Sequence, residues 1–133
     1  MKAKLFLRIA AVIMLLHTMG HTMGALTWRE APNAAVAQVV AGMQSQHFDF
    51  FGRSASLGNF YNGYGISMIF VLLLVSAQLW LLSNHPVKNM LVALGLFLSA
   101  FAICEYIYFF PFAAAFSLIA AICTWLALWK NGA

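Results

Sequence analysis

An all-α fold, an antiparallel four-helix transmembrane bundle, follows from three features of this sequence. Hydrophobic residues make up 64% of its 133 residues and charged residues only 8%, whereas a soluble domain needs about a quarter of its residues charged to face water. The apolar residues gather into four stretches, at about 5–26, 64–83, 86–108 and 111–129, each near the ~20 residues that cross a ~30 Å hydrocarbon layer. The later stretches are joined by short turns, which make neighbouring helices antiparallel. The chain 1–133 then reads as a single membrane domain whose one sizeable segment outside the layer is 27–62.

Span one begins behind Lys2, Lys4 and Arg8 and stays apolar to Leu26. A basic start and an apolar middle also describe a cleaved signal peptide, but cleavage favours two small residues with one between. Met23 before Ala25 and Thr22 before Gly24 fit that poorly, so the span is expected to stay as an anchor. In the segment that follows, Pro32 and Asn33 make a helix start, and Val36, Val39, Val40 and Met43 recur at one-face helical spacing. The expectation is a short amphipathic helix lying on the outer membrane surface. Next come His47-Phe-Asp-Phe-Phe-Gly-Arg53 and Asn59-Phe-Tyr-Asn-Gly-Tyr-Gly65. Aromatic rings with polar neighbours favour the interfacial zone, so both segments are expected to fold over the mouth of the bundle.

Span two, from Tyr64 to Ser83, contains no charged residue and places Trp80 near its far end. Asn84-His-Pro-Val-Lys88 is a tight turn in which Pro86 opens span three, since proline's missing N–H costs nothing in a first helical turn. Pro111 opens span four in the same way. His85 falls in that turn and reads as solvated, while Gln78 reads as an interhelical hydrogen bonder.

Basic residues divide unevenly between the two faces. Lys2, Lys4, Arg8, Lys88 and Lys130 fall on one side, and Arg29 and Arg53 on the other, so the positive-inside rule places both termini in the cytoplasm and the chain in the inner, cytoplasmic membrane. The formal charge of +4 therefore sets topology, and a nucleic-acid partner is not expected. For packing, Gly20 and Gly24 form a G-x-x-x-G step, Gly95 and Ser99 a second small pair, and Ala113, Ser117 and Ala121 a third. Cys104 and Cys123 fall about 10 Å apart along their helices, beyond disulfide reach.

His17 and His21 are one turn apart on span one, on the face that also carries Gly20 and Gly24. Ionisable groups within a span face the protein interior or a watery cavity, because lipid cannot solvate them. Counted from Leu5, His21 lies at ~24 Å and His17 at ~18 Å, while Glu105, counted from Lys88, lies at ~26 Å. The expectation is a hydrogen bond between His21 and Glu105, with His47, Asp49, Arg53 and Tyr64 adding polar groups to an outward-facing pocket. Tyr61, Tyr106 and Tyr108 would supply further hydroxyls nearby.

Three readings of that pocket are open: a structural lock, a site for a proton or a small ligand, and a metal or haem centre. Histidines at i, i+4 suit one metal, so His17 and His21 would be its ligands, yet a closed zinc site wants four. Thr18 stands where the zinc-protease helix H-E-x-x-H carries glutamate. Haem needs an axial ligand from a second helix, and the other spans offer no histidine. Glu105 with His21 could form an acid–base pair on a lipidic substrate, but a single carboxyl does not specify a reaction. The favoured function is non-enzymatic binding of a small amphipathic ligand such as a quinone, with membrane lipid as surroundings. A role as a subunit of a larger membrane complex or as a homo-oligomer is also open.

Arg8-Ile-Ala-Ala-Val-Ile-Met-Leu-Leu-His17-Thr-Met-Gly20-His21-Thr-Met-Gly24, with Phe60-Tyr-Asn-Gly-Tyr-Gly-Ile-Ser67, resembles a family of small uncharacterised bacterial four-span membrane proteins. In size and span count the chain is also similar to the DoxX-like group, whose members include membrane subunits of quinone-linked redox systems. The resemblance implies a bacterial membrane location and transfers no catalytic residue, since fold does not carry function.

Overall fold

Residues 2–132 are described by the computed structural model, with side chains from 3 to 130. In chain order the elements are α1 (Lys2–Thr27), α2 (Ala34–Ser45), β1 (His47–Phe50), β2 (Arg53–Ser56), α3 (Leu57–Leu82), α4 (Lys88–Tyr108) and α5 (Pro111–Gly132). Helices α1, α3, α4 and α5 are each long and apolar enough to cross a membrane. No more than 39% of the most apolar stretch of any of them is buried within the chain. Side chains such as Leu74, Leu96, Ile103 and Leu118 stay exposed, an arrangement that suits lipid, where apolar surface carries no penalty.

The chain forms two compact units, residues 1–18 with 71–133, and residues 19–70. The first contains the opening of α1, the later part of α3, and all of α4 and α5. Its centre is made by Leu7, Met14, Leu72, Leu79, Leu91 and Leu98, all fully buried. Ser76 Oγ donates to the Ala11 carbonyl at 2.8 Å, tying α3 to α1 by a side-chain bond that lipid cannot replace. Between α4 and α5 the contact is a small residue under a large one. A Cβ on Gly95 would lie 2.8 Å from the Trp125 ring. The indole Nε1 donates to Ser99 Oγ at 3.2 Å, and that hydroxyl donates to the Gly95 carbonyl at 2.7 Å. Gly95 and Ser99 thus act together as a seat for one indole.

Only Phe109 and Phe110 connect α4 to α5. The Phe109 N–H returns to the Glu105 carbonyl at 2.9 Å, closing α4, and Pro111 starts α5, where no N–H is needed. Both cysteines are free thiols, Cys104 exposed and Cys123 buried.

The second unit, residues 19–70, holds the later part of α1, then α2, the β1–β2 hairpin and the opening of α3. Asn33 caps α2 by accepting from the Val36 N–H at 3.0 Å, satisfying a donor that the first turn leaves free. No α2 residue is buried, and Val39 is 63% exposed, so the valine stripe anticipated from spacing is present and uncovered by the chain itself. The hairpin was not legible as such. His47 pairs with Ser56 and Phe50 with Arg53, leaving a two-residue turn, Phe51-Gly52, with φ of +52° and +78°. Positive φ at both positions is the I′ geometry that matches strand twist.

Helix α3 begins at Leu57, two turns before the start expected at Tyr64. Ser56 Oγ accepts from the Asn59 N–H at 3.2 Å, the serine N-cap pattern. The aromatic segment 59–65, expected to fold over the mouth of the bundle, is therefore the opening of α3. Gly20 and Gly24 also depart from expectation: among the described residues a Cβ on either would meet nothing within 4 Å, so their G-x-x-x-G step makes no close helix contact within this unit. The close approach of α1 to α3 in this unit occurs at Gly65, whose Cβ would lie 3.2 Å from that of Ala25.

Candidate functional site: a buried imidazole, carboxyl and hydroxyl

Three helices of the first unit each contribute one polar side chain to a common point. His17 of α1 places Nε2 3.1 Å from Glu105 Oε1 of α4, and Ser117 Oγ of α5 lies 3.4 Å from His17 Nδ1. All three are buried, His17 to 6% exposure, Glu105 to 5% and Ser117 to 0%. One imidazole tautomer satisfies both contacts, with Nε2–H donating to the carboxylate and Nδ1 accepting from the serine hydroxyl. The ring is held between Phe116, with centroids 5.6 Å apart, and Phe101, at 6.3 Å. These contacts fix its plane as well as its nitrogens.

The carboxyl is only half satisfied. Glu105 Oε2 is buried and has no hydrogen-bond partner. A buried acceptor without a donor forgoes about 1–3 kcal/mol, and more when it carries charge. Among the described residues no group donates to Oε2, and a hydroxyl or an amine would be complementary to it.

Glu105 was expected to meet His21, and its partner is instead His17. Depth counting started α1 at Leu5, whereas the helix begins at Lys2. From that start His17 stands about 22 Å and His21 about 28 Å along α1, equally far from the ~26 Å for Glu105, so depth alone does not choose between them. His21 Nε2 donates to the Gly65 carbonyl at 3.0 Å, a bond within the second unit beside the Gly65–Ala25 approach. Nearby, the Trp28 indole packs on Tyr61 at 5.0 Å and donates to Asn62 Oδ1 at 3.4 Å.

The other anticipated pocket residues are surface groups of the second unit. His47 Nδ1 donates to the Ser45 carbonyl at 3.0 Å and is exposed. Asp49 and Arg53 lie exposed on opposite strands of the hairpin without an ion pair between them among the described residues. Tyr64 is 73% exposed and packs loosely on Phe60 at 6.4 Å. Ser117, which sequence reasoning treated only as a small packing residue, is the member it missed. Its depth gave no warning, because serine is common at helix contacts in membranes.

Chemically the cluster offers one imidazole, one carboxyl and one hydroxyl. The order Ser117, His17, Glu105 is that of a nucleophile, base and orienting carboxyl. Here the hydroxyl is fully buried, so the order alone does not specify a reaction. Among the described residues no three His, Cys, Asp or Glu side chains gather as metal ligands would. The helices and this buried cluster together define an integral, multi-pass membrane protein with a polar centre between its spans. Compared with protein-family models, curated proteins and solved structures, the chain matches none of them.

Proposed function

We propose that this chain is a non-enzymatic ligand-binding protein of the inner membrane, with both termini cytoplasmic. Its ligand is a small lipophilic molecule bearing a hydroxyl, of the quinol class, which donates to Glu105 while its apolar part lies among the spans. The observation that carries this reading is the buried, unpartnered Glu105 Oε2. An acceptor oxygen left without a partner is complementary to a donor, and in the hydrocarbon zone a lipophilic hydroxyl supplies one without importing charge.

Thermal melts of the detergent-purified protein with decylubiquinol and with oxidised decylubiquinone test it. The quinol raises the apparent Tm, as a ligand of the folded state must, and the quinone, which has no hydroxyl to donate, raises it less. E105Q keeps a carbonyl for His17 but presents N–H groups in place of Oε2, so the quinol response disappears. Equal responses in wild type and E105Q overturn the proposal.

The complete burial of all three groups favours a second reading, in which the cluster locks the register of α1, α4 and α5. Under that reading E105Q lowers the melting temperature and neither probe changes it.

A further inference from the structure

A second polar feature lies at the other end of α1, on the outside of the helices. Arg8 stacks its guanidinium over the Trp80 ring at 4.9 Å. Its Nε is buried without a hydrogen-bond partner, and among the described residues no carboxylate pairs with it. Stacking on an indole offsets part of the cost of removing a guanidinium from water, but leaves the Nε–H without an acceptor and the charge without a carboxylate.

From this point an open groove of about 510 Å³ runs between α1 and α3. Ala11, Val12 and Leu15 form one wall, Leu73, Ala77 and Leu81 the other, and Trp80 is part of its lining. The volume falls in the range of about 300–1,000 Å³ typical of small-ligand sites. Its lining is almost wholly apolar, because the Ser76 hydroxyl is turned into its bond with Ala11. Residues 4, 8, 11, 12 and 15 share one face of α1, so exposed Lys4, Arg8 and the groove form one line, charged at the helix start and apolar beyond it.

We propose that this line is a binding site for a single anionic phospholipid. The phosphate sits on Arg8, with Lys4 one turn outward, and one acyl chain lies in the groove towards Leu15 and Leu73. Charge decides the occupant, because a cation without a carboxylate at the end of an apolar trough is complementary to an anion with an apolar tail. Arg8 donates to phosphate oxygens as a planar fork. Trp80 packs beneath it at the level where indoles favour the headgroup boundary. The site is independent of His17 and Glu105, and its failure would leave the ligand reading untouched.

Native mass spectrometry of the detergent-purified full chain, titrated with palmitoyl-oleoyl phosphatidylglycerol or phosphatidylcholine, tests it. Wild type retains phosphatidylglycerol roughly fivefold more tightly, because the phosphate of phosphatidylcholine is neutralised by its own choline and about one basic residue's attraction to net lipid charge is lost. R8Q binds the two lipids alike, and R8K keeps part of the preference. A77W fills the groove with Arg8 intact and loses both lipids, while glycerol 3-phosphate, a headgroup without chains, does not compete. The proposal is overturned if R8Q keeps the preference, if A77W retains lipid as wild type does, or if K4Q alone abolishes discrimination. The last result would mean diffuse surface charge in place of a site.

Discussion

Glu105 shows how a single residue separates support from chemistry. With His17 on Oε1 and nothing on Oε2, removing the imidazole by H17L leaves the carboxyl wholly unpaired. That loss costs about 1–3 kcal/mol, seen as a lower melting temperature in detergent. The double variant H17L/E105L removes both polar groups, so its destabilisation is expected to be smaller than the sum of the two single variants, since an apolar pair can replace a buried polar one. Additive losses would show that the two side chains do not interact. The identity of the pair was half legible: charge and depth singled out Glu105 and span one, because ionisable groups are rare in hydrocarbon. The choice between His17 and His21 was not legible, because hydropathy does not mark a helix start to within a turn and the two imidazoles bracket the depth of Glu105.

The elements divide into those specified by pattern and those specified by single caps or turns. Four apolar helices and the valine-striped α2 were legible because their periodicity extends over many residues. The β1–β2 hairpin was not, because its turn places Phe51 where Asn or Gly is usual. Phe51 is 97% exposed and adopts φ +52°, a conformation in which a bulky residue is strained. F51N is expected to stabilise the hairpin by about 1 kcal/mol, read as slower hydrogen exchange at its paired amides. The glycines make an opposite pair of tests. G95A drives a methyl into Trp125 and should cost about 1–3 kcal/mol by overpacking. G20A meets nothing and should be neutral or raise the melting temperature, as alanine is the better helix former by about 1 kcal/mol.

At the scale of the whole molecule, the proposed topology has the hairpin and the α3–α4 turn on opposite faces of the membrane. Single cysteines at Ser54 and Asn84, both exposed, in a chain lacking Cys104 and Cys123, test the orientation. An impermeant maleimide added to intact cells is expected to label the first and to reach the second only after lysis. The reverse pattern would invert the proposed topology. That the chain crosses a membrane was legible from composition alone, since 8% charged residues cannot cover a water-facing surface. The division into units at residues 18–19 and 70–71 was not, because it falls inside two uninterrupted apolar helices.

The two-residue link between α4 and α5 bears on how the chain is made. With only Phe109 and Phe110 between them and Trp125 seated on Gly95, these helices pair through neighbours close in the chain, the kind of pairing that forms early. They are suited to leave the insertion machinery as one preassembled unit, in which the Glu105 carboxyl meets its imidazole only when α1 packs against the pair.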